Sequence, residues 1–72
     1  MKYEIFPHKV IIEGEAIDTF GIVATDQQGI TYTFDDITAS REYLEKFVAF
    51  LNEENVSLKC FKIFLELFID SL

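Results

Sequence analysis

The last thirteen residues, CFKIFLELFIDSL at positions 60–72, constrain this chain more than any other stretch. Nine of the thirteen are apolar. Placed on a helical wheel, Lys59, Lys62, Glu66 and Asp70 fall within roughly 80° of one another, and apart from Ser71 the rest of the circumference is apolar. A surface helix ordinarily needs an apolar arc of about 100°. The segment is too short to cross a bilayer, which takes about 20 apolar residues, and Lys62, Glu66 and Asp70 interrupt it. It therefore predicts a core helix, capped by Ser57, with more apolar side than a small domain obviously needs.

The chain has 72 residues, enough for one domain. A chain of this size buries only about 60% of the surface it exposes when unfolded, so a dense core, a metal, disulfides or oligomerisation has to compensate. Cys60 is the only cysteine and His8 the only histidine. An internal disulfide is excluded, and one His with one Cys cannot complete a four-ligand zinc shell. What remains is a dense core or an oligomer. Half of the residues are hydrophobic and eight are Phe, a core inventory of Phe6, Phe20, Phe34, Phe47, Phe50, Phe61, Phe64 and Phe68. A lone cysteine and the absence of a signal-like apolar run in MKYEIFPHK lead to the expectation of a reducing, cytoplasmic setting.

Ahead of the terminal helix the pattern changes period. Residues 2–13 alternate as a strand, interrupted by Pro7, which predicts an edge or a bulge. EGE around Gly14 predicts a turn. Residues 16–25 form a second strand, with Ala16, Asp18, Phe20, Ile22 and Ala24 on one face. DQQG predicts a hairpin loop, and ITYTF at 30–34 a third strand with Ile30, Tyr32 and Phe34 inward. From Ala39 to Glu54, Tyr43, Leu44, Phe47, Val48, Phe50 and Leu51 fall in an arc of roughly 160°, an amphipathic helix. Thr38 or Asp36 is its expected N-cap and Asn55 its stop. Arg41–Glu45 and Glu42–Lys46 are spaced as i,i+4 ion pairs. The expected fold is α+β: a three-stranded antiparallel meander followed by two helices packed on one face, βββαα, as a single domain over 1–72.

Little in the chain can carry chemistry. His8 has no Ser or Cys at a triad spacing. Cys60 falls on the apolar side of the last helix, where burial makes a thiol inert. FDDIT at 34–38 supplies two carboxylates and a Thr, short of a cation's ligand set, and fits better a strand end leading to a helix N-terminus. A metal-dependent enzyme using His8, Asp35 and Asp36 is the least favoured reading. The net charge of −7 opposes contact with nucleic-acid phosphates and with anionic membranes. No cofactor is expected.

FGI at 20–22, DIT at 36–38, FLNEENVS at 50–57 and FLELFI at 64–69 occur in an order that resembles a family of small uncharacterised proteins from Gram-positive bacteria, a domain of unknown function. Gly21, Ile22, Asp36, Ile37, Asn52, Ser57, Glu66 and Phe68 match that family's pattern by position. The family often carries Ser-Pro-Ile-His where this chain has Ser57, Leu58, Lys59 and Cys60, and an Asp where this chain has Leu67. The resemblance spans roughly residues 15–70 and implies no activity.

These observations lead to a non-enzymatic, acidic protein–protein interaction module that self-associates, as a homodimer, or regulates or inhibits a larger bacterial protein. The expected interface is the shoulders of the last helix: Ile63 with Leu67, and Leu65 with Ile69 and Leu72. An acidic surface of Glu42, Glu45, Glu53 and Glu54 motivates the alternative, a phage-type inhibitor that mimics nucleic acid.

Overall fold

The structure, a computed structural model, describes residues 1–71. Three strands, β1 (Lys2–Ile12), β2 (Glu15–Thr25) and β3 (Thr31–Thr38), are followed by α1 (Arg41–Glu53) and α2 (Leu58–Asp70). The strands form one antiparallel sheet in the order β1-β2-β3. This is the α+β meander-plus-two-helices arrangement that the change of period at residue 39 implies.

The β1–β2 turn places Glu13 (φ 52) and Gly14 (φ 80) in the left-handed region, the signature of a two-residue type I′ hairpin. At the β2–β3 turn the Asp26 carboxylate accepts from the Gln28 and Ile30 amides at 2.9 and 3.0 Å, which holds the loop as an Asx turn. Ile30 lies outside β3 and is exposed, contrary to the inward expectation; the loop claims its backbone instead.

β1 runs through Pro7 without a break. The reason lies at its outer edge. Tyr3 donates its amide to Asn52 Oδ1 at 2.9 Å and its carbonyl accepts from Asn52 Nδ2 at 3.0 Å. Its peptide groups therefore face away from β2. By the alternation of an antiparallel ladder, so do those of Ile5, Pro7, Lys9 and Ile11. The N–H that proline lacks falls on the free edge, where no ladder bond is lost.

β3 is longer than its alternating core ITYTF. Ile22 pairs with Phe34 and Phe20 with Thr38, so the single residue Gly21 faces three on β3: Asp35, Asp36 and Ile37. Asp36 takes φ 51 at this bulge. A Cβ on Gly21 would meet the Phe34 carbonyl oxygen and lie 2.7 Å from the Phe6 ring. FDDIT is thus a bulged strand rather than a strand exit, and neither Asp36 nor Thr38 caps α1. Ser40 does, accepting from the Tyr43 amide, while the Thr38 hydroxyl accepts from the Ser40 amide at 3.1 Å. The second helix is capped by Ser57 as expected, and Asn55 ends α1 with φ 48.

Both helices lie on the sheet face that carries Tyr3, Ile22 and Ala24. With Leu44, Val48, Leu51, Val56 and Phe61 these form the buried core. Phe61 is its centre: its ring lies 5.0 Å from Tyr3, 4.9 Å from Phe34 and 6.3 Å from Phe47. Phe47 stacks on Phe68 at 4.6 Å, and Phe50 meets Phe64 edge-on at 5.4 Å, so these two pairs form the seam between the helices. Of the eight phenylalanines only Phe61 is fully buried; Phe50 is exposed and the others are half-buried.

Candidate functional site

The clearest unsatisfied feature of the surface is the outer side of α2. The helix buries Phe61 and half-buries Leu58, Phe64, Leu65 and Phe68, one stripe about 120° wide. Ile63, Leu67 and Ile69 lie outside it and are 55%, 61% and 47% exposed. Of the expected interface residues, these three stand free, Leu65 is drawn partly into the core, and Leu72 lies outside the described residues. Both shoulders remain open, because α1 seals only the flank of Phe64 and Phe68. On that flank Tyr43 and Phe50 of α1, seven residues apart and hence on one side of the helix, extend the apolar surface. Across the charged stripe, from Ile63 to Leu65 and Ile69, Lys62 and Glu66 complete the lining of a shallow open depression of about 320 Å³.

Cys60 is exposed, not buried as the wheel suggested. It precedes Phe61 by one residue and is turned about 100° from the core. The apolar arc of α2 is wider than the surface available to cover it, so part of that arc, the thiol included, faces outward.

The acidic expectation is met only in part. Glu42, Glu45, Glu53 and Glu54 are all exposed. Glu45 is paired with Arg41 at 2.9 Å, and Glu54, at the C-cap, points to a different side of the helix from Glu42 and Glu53. Lys46 lies on the same side as Glu42 and Glu53, although no ion pair joins Glu42 to Lys46 among the described residues. The array is mixed in sign rather than a row of phosphate-like charges.

The residues of the enzymatic alternative are partly assembled. His8 Nε2 lies 4.0 Å from Asp35 Oδ2 on the sheet face away from the helices. Opposite His8 on β2, the hydroxyl of Thr19 is buried with no hydrogen-bond partner among the described residues. The Phe6 ring stands over Gly21 beside them. No group of three His, Cys, Asp or Glu side chains converges among the described residues. A depression of about 420 Å³ lies elsewhere, between Met1, the Asp26–Gln28 turn and Asn55 with Ser57, and Asp26 is the one carboxylate that lines it.

No helix among the described residues is long and apolar enough to cross a membrane. Comparison with protein-family models, with curated proteins and with solved structures finds no match.

Proposed function

We propose that this chain is a small, acidic, non-enzymatic protein-interaction module whose binding surface is the outer side of α2. The observation that carries this reading is the exposure of Ile63, Leu67 and Ile69 on a helix whose opposite side is anchored in the core by Phe61. Burying a side chain of this size is worth about 1.5–3 kcal/mol, so three of them on one helix form a source of binding energy that the monomer leaves unused. The charges Lys59, Lys62, Glu66 and Asp70 are balanced in sign and form a narrow stripe between Ile63 with Leu67 on one side and Ile69 on the other, so a partner that covers both shoulders spans a polar strip with no net charge. The occupant is a protein: a second copy of the chain, or a larger bacterial protein that the module regulates. A free, exposed thiol at Cys60 suits the reducing cytoplasm.

Light scattering over a concentration series tests the first occupant. The expected mass is twice the 8.4 kDa of the chain, returning to the monomer value on Leu67→Glu. A constant monomer mass up to the highest soluble concentration removes the second copy as occupant. A dimer that Leu67→Glu leaves intact removes α2 as the surface.

A further inference from the structure

The β1–β2 hairpin reaches well past the rest of the fold. β3 covers β2 only as far as Phe20, and every residue from Ile11 to Asp18 is exposed. Residues 9–18 are therefore a two-stranded ribbon with neither helix nor third strand against it, an arrangement that is marginal in water on its own. Its side chains are nonetheless apolar on both faces: Ile11, 70% exposed, with Ala16 on one, and Ile12, 53% exposed, with Ile17 on the other.

The overall dimensions register the same projection. The radius of gyration is 12.6 Å, against about 11 Å for a compact domain of this length. The accessible surface is 5081 Å², against about 4,600 Å² for a monomer of this mass. The excess, nearly 500 Å², is more than half of the roughly 800 Å² that each partner contributes to a stable interface.

We propose that this arm docks on the outer side of α2 of a second copy, so that two chains exchange arms about a two-fold axis. The proposal rests on the reading of α2 as a binding surface and specifies what binds there and how. Charge selects the occupant. The tip of the arm carries Glu13 and Glu15, neither of which has an ion-pair partner among the described residues. Of the six basic residues, Lys2, Lys9 and Arg41 are paired within the chain, with Glu4, Asp18 and Glu45. Lys59 and Lys62, beside Ile63, are not among the paired ones. The charged stripe of α2 is divided in sign, with Lys59 and Lys62 in its N-terminal half and Glu66 and Asp70 in its C-terminal half, so an acidic, isoleucine-rich arm from a second copy matches the apolar depression with its tip set on the lysine half. Reciprocal docking satisfies both surfaces twice over and closes the assembly at two copies. The net charge of −7 opposes association only weakly at physiological salt, where charges beyond about 8 Å are screened.

Cross-linking of mixed variants tests this arrangement. In a Cys60→Ser background, Ala16→Cys places a thiol on the arm and Glu66→Cys places one beside the α2 depression. With a short bis-maleimide, the mixture is expected to give an adduct between the two variants that neither gives alone. Adducts within Ala16→Cys alone mean that arms pair with arms, and adducts within Glu66→Cys alone mean that α2 pairs with α2; either overturns arm exchange, and the second leaves the α2 surface standing. No adduct in any combination overturns it as well. In parallel, Glu15→Lys is expected to weaken self-association at least tenfold, and the double variant Glu15→Lys, Lys62→Glu to restore it. A Glu15→Lys chain that folds and associates like the wild type refutes the charge match.

Discussion

Asn52→Ala probes the device that holds the first strand against the helices. Among the described residues, Asn52 is the only side chain that bridges α1 and the free edge of β1, through two hydrogen bonds to the Tyr3 backbone at 2.9 and 3.0 Å. Its carboxamide occupies the place of a neighbouring strand. A net contribution of about 1 kcal/mol per bond predicts a loss of about 2 kcal/mol in Asn52→Ala. For 72 residues the unfolding entropy is about 0.15 kcal/mol/K, so the melting temperature should fall by roughly 13 °C. A calorimetric or circular-dichroism melt measures it. Asn52→Asp refines the test. It keeps an acceptor for the Tyr3 amide but turns a carboxylate oxygen toward the Tyr3 carbonyl, where only a donor fits. The protonated acid restores that donor, so the native state raises its pKa. The native state then binds more protons than the unfolded one, and stability is lost as pH rises through the raised pKa. Relative to Asn52→Ala, which cancels the response of the other carboxylates, Asn52→Asp should gain stability as the solution is made acidic. A melt of Asn52→Ala within 2 °C of the wild type, or a pH-independent difference between the two variants, refutes the strand-mimic account.

Three further outcomes follow from the packing. Gly21→Ala should lose about 1–3 kcal/mol by denaturant titration, because the added methyl overlaps the Phe34 carbonyl and the Phe6 ring and the bulge must shift. Burial, with a smaller contribution from Cys60, pushes the Tyr3 phenol above its ordinary value near 10, and its hydroxyl donates to the Val56 carbonyl. Stability from this phenol is therefore complete below pH 10 and is lost as pH rises through the higher folded value, and Tyr3→Phe should show a flatter alkaline stability profile than the wild type. Glu13→Asn should stabilise the hairpin by a few tenths of a kcal/mol in a thermal melt, since asparagine tolerates the left-handed φ of 52 better than glutamate.

The order of elements was legible because each has its own period and its own punctuation. Ser57 and Asn55 mark helix ends by chemistry that acts locally, and both stand where that chemistry puts them. What was not legible depends on contacts between distant residues. The N-cap of α1 moved from Thr38 or Asp36 to Ser40 because Phe34 to Thr38 pair with β2 across a bulge set by Gly21 and Phe6, residues far off in sequence. Pro7 looked like an interruption, yet it is harmless once the edge to which its nitrogen points is known. Asn52 reads in sequence as part of a charged helix end, and nothing local announces that it will bond to Tyr3, 49 residues away.

The surplus apolar surface was legible in kind but not in place. A helical wheel assigns every apolar position to a side, but how much of that side is covered depends on the neighbours. In this fold α1 covers one flank of α2 and the sheet its base, so Ile63, Leu67 and Cys60 are left out although the wheel groups them with Phe61. The arm was hidden more thoroughly. Val10, Ile11 and Ile12 are consecutive and make the strand apolar on both faces, a pattern that reports the intention to bury without saying whether the same chain supplies the cover. Only the register, with β3 leaving β2 at Phe20, and the exposure of residues 11–18 show that no other described element covers the arm. Two surfaces with the pattern of a core and no cover of their own among the described residues, one tipped with unpaired carboxylates and the other carrying Lys59 and Lys62 at one end, are more simply explained as halves of one contact than as two separate defects of a marginal domain.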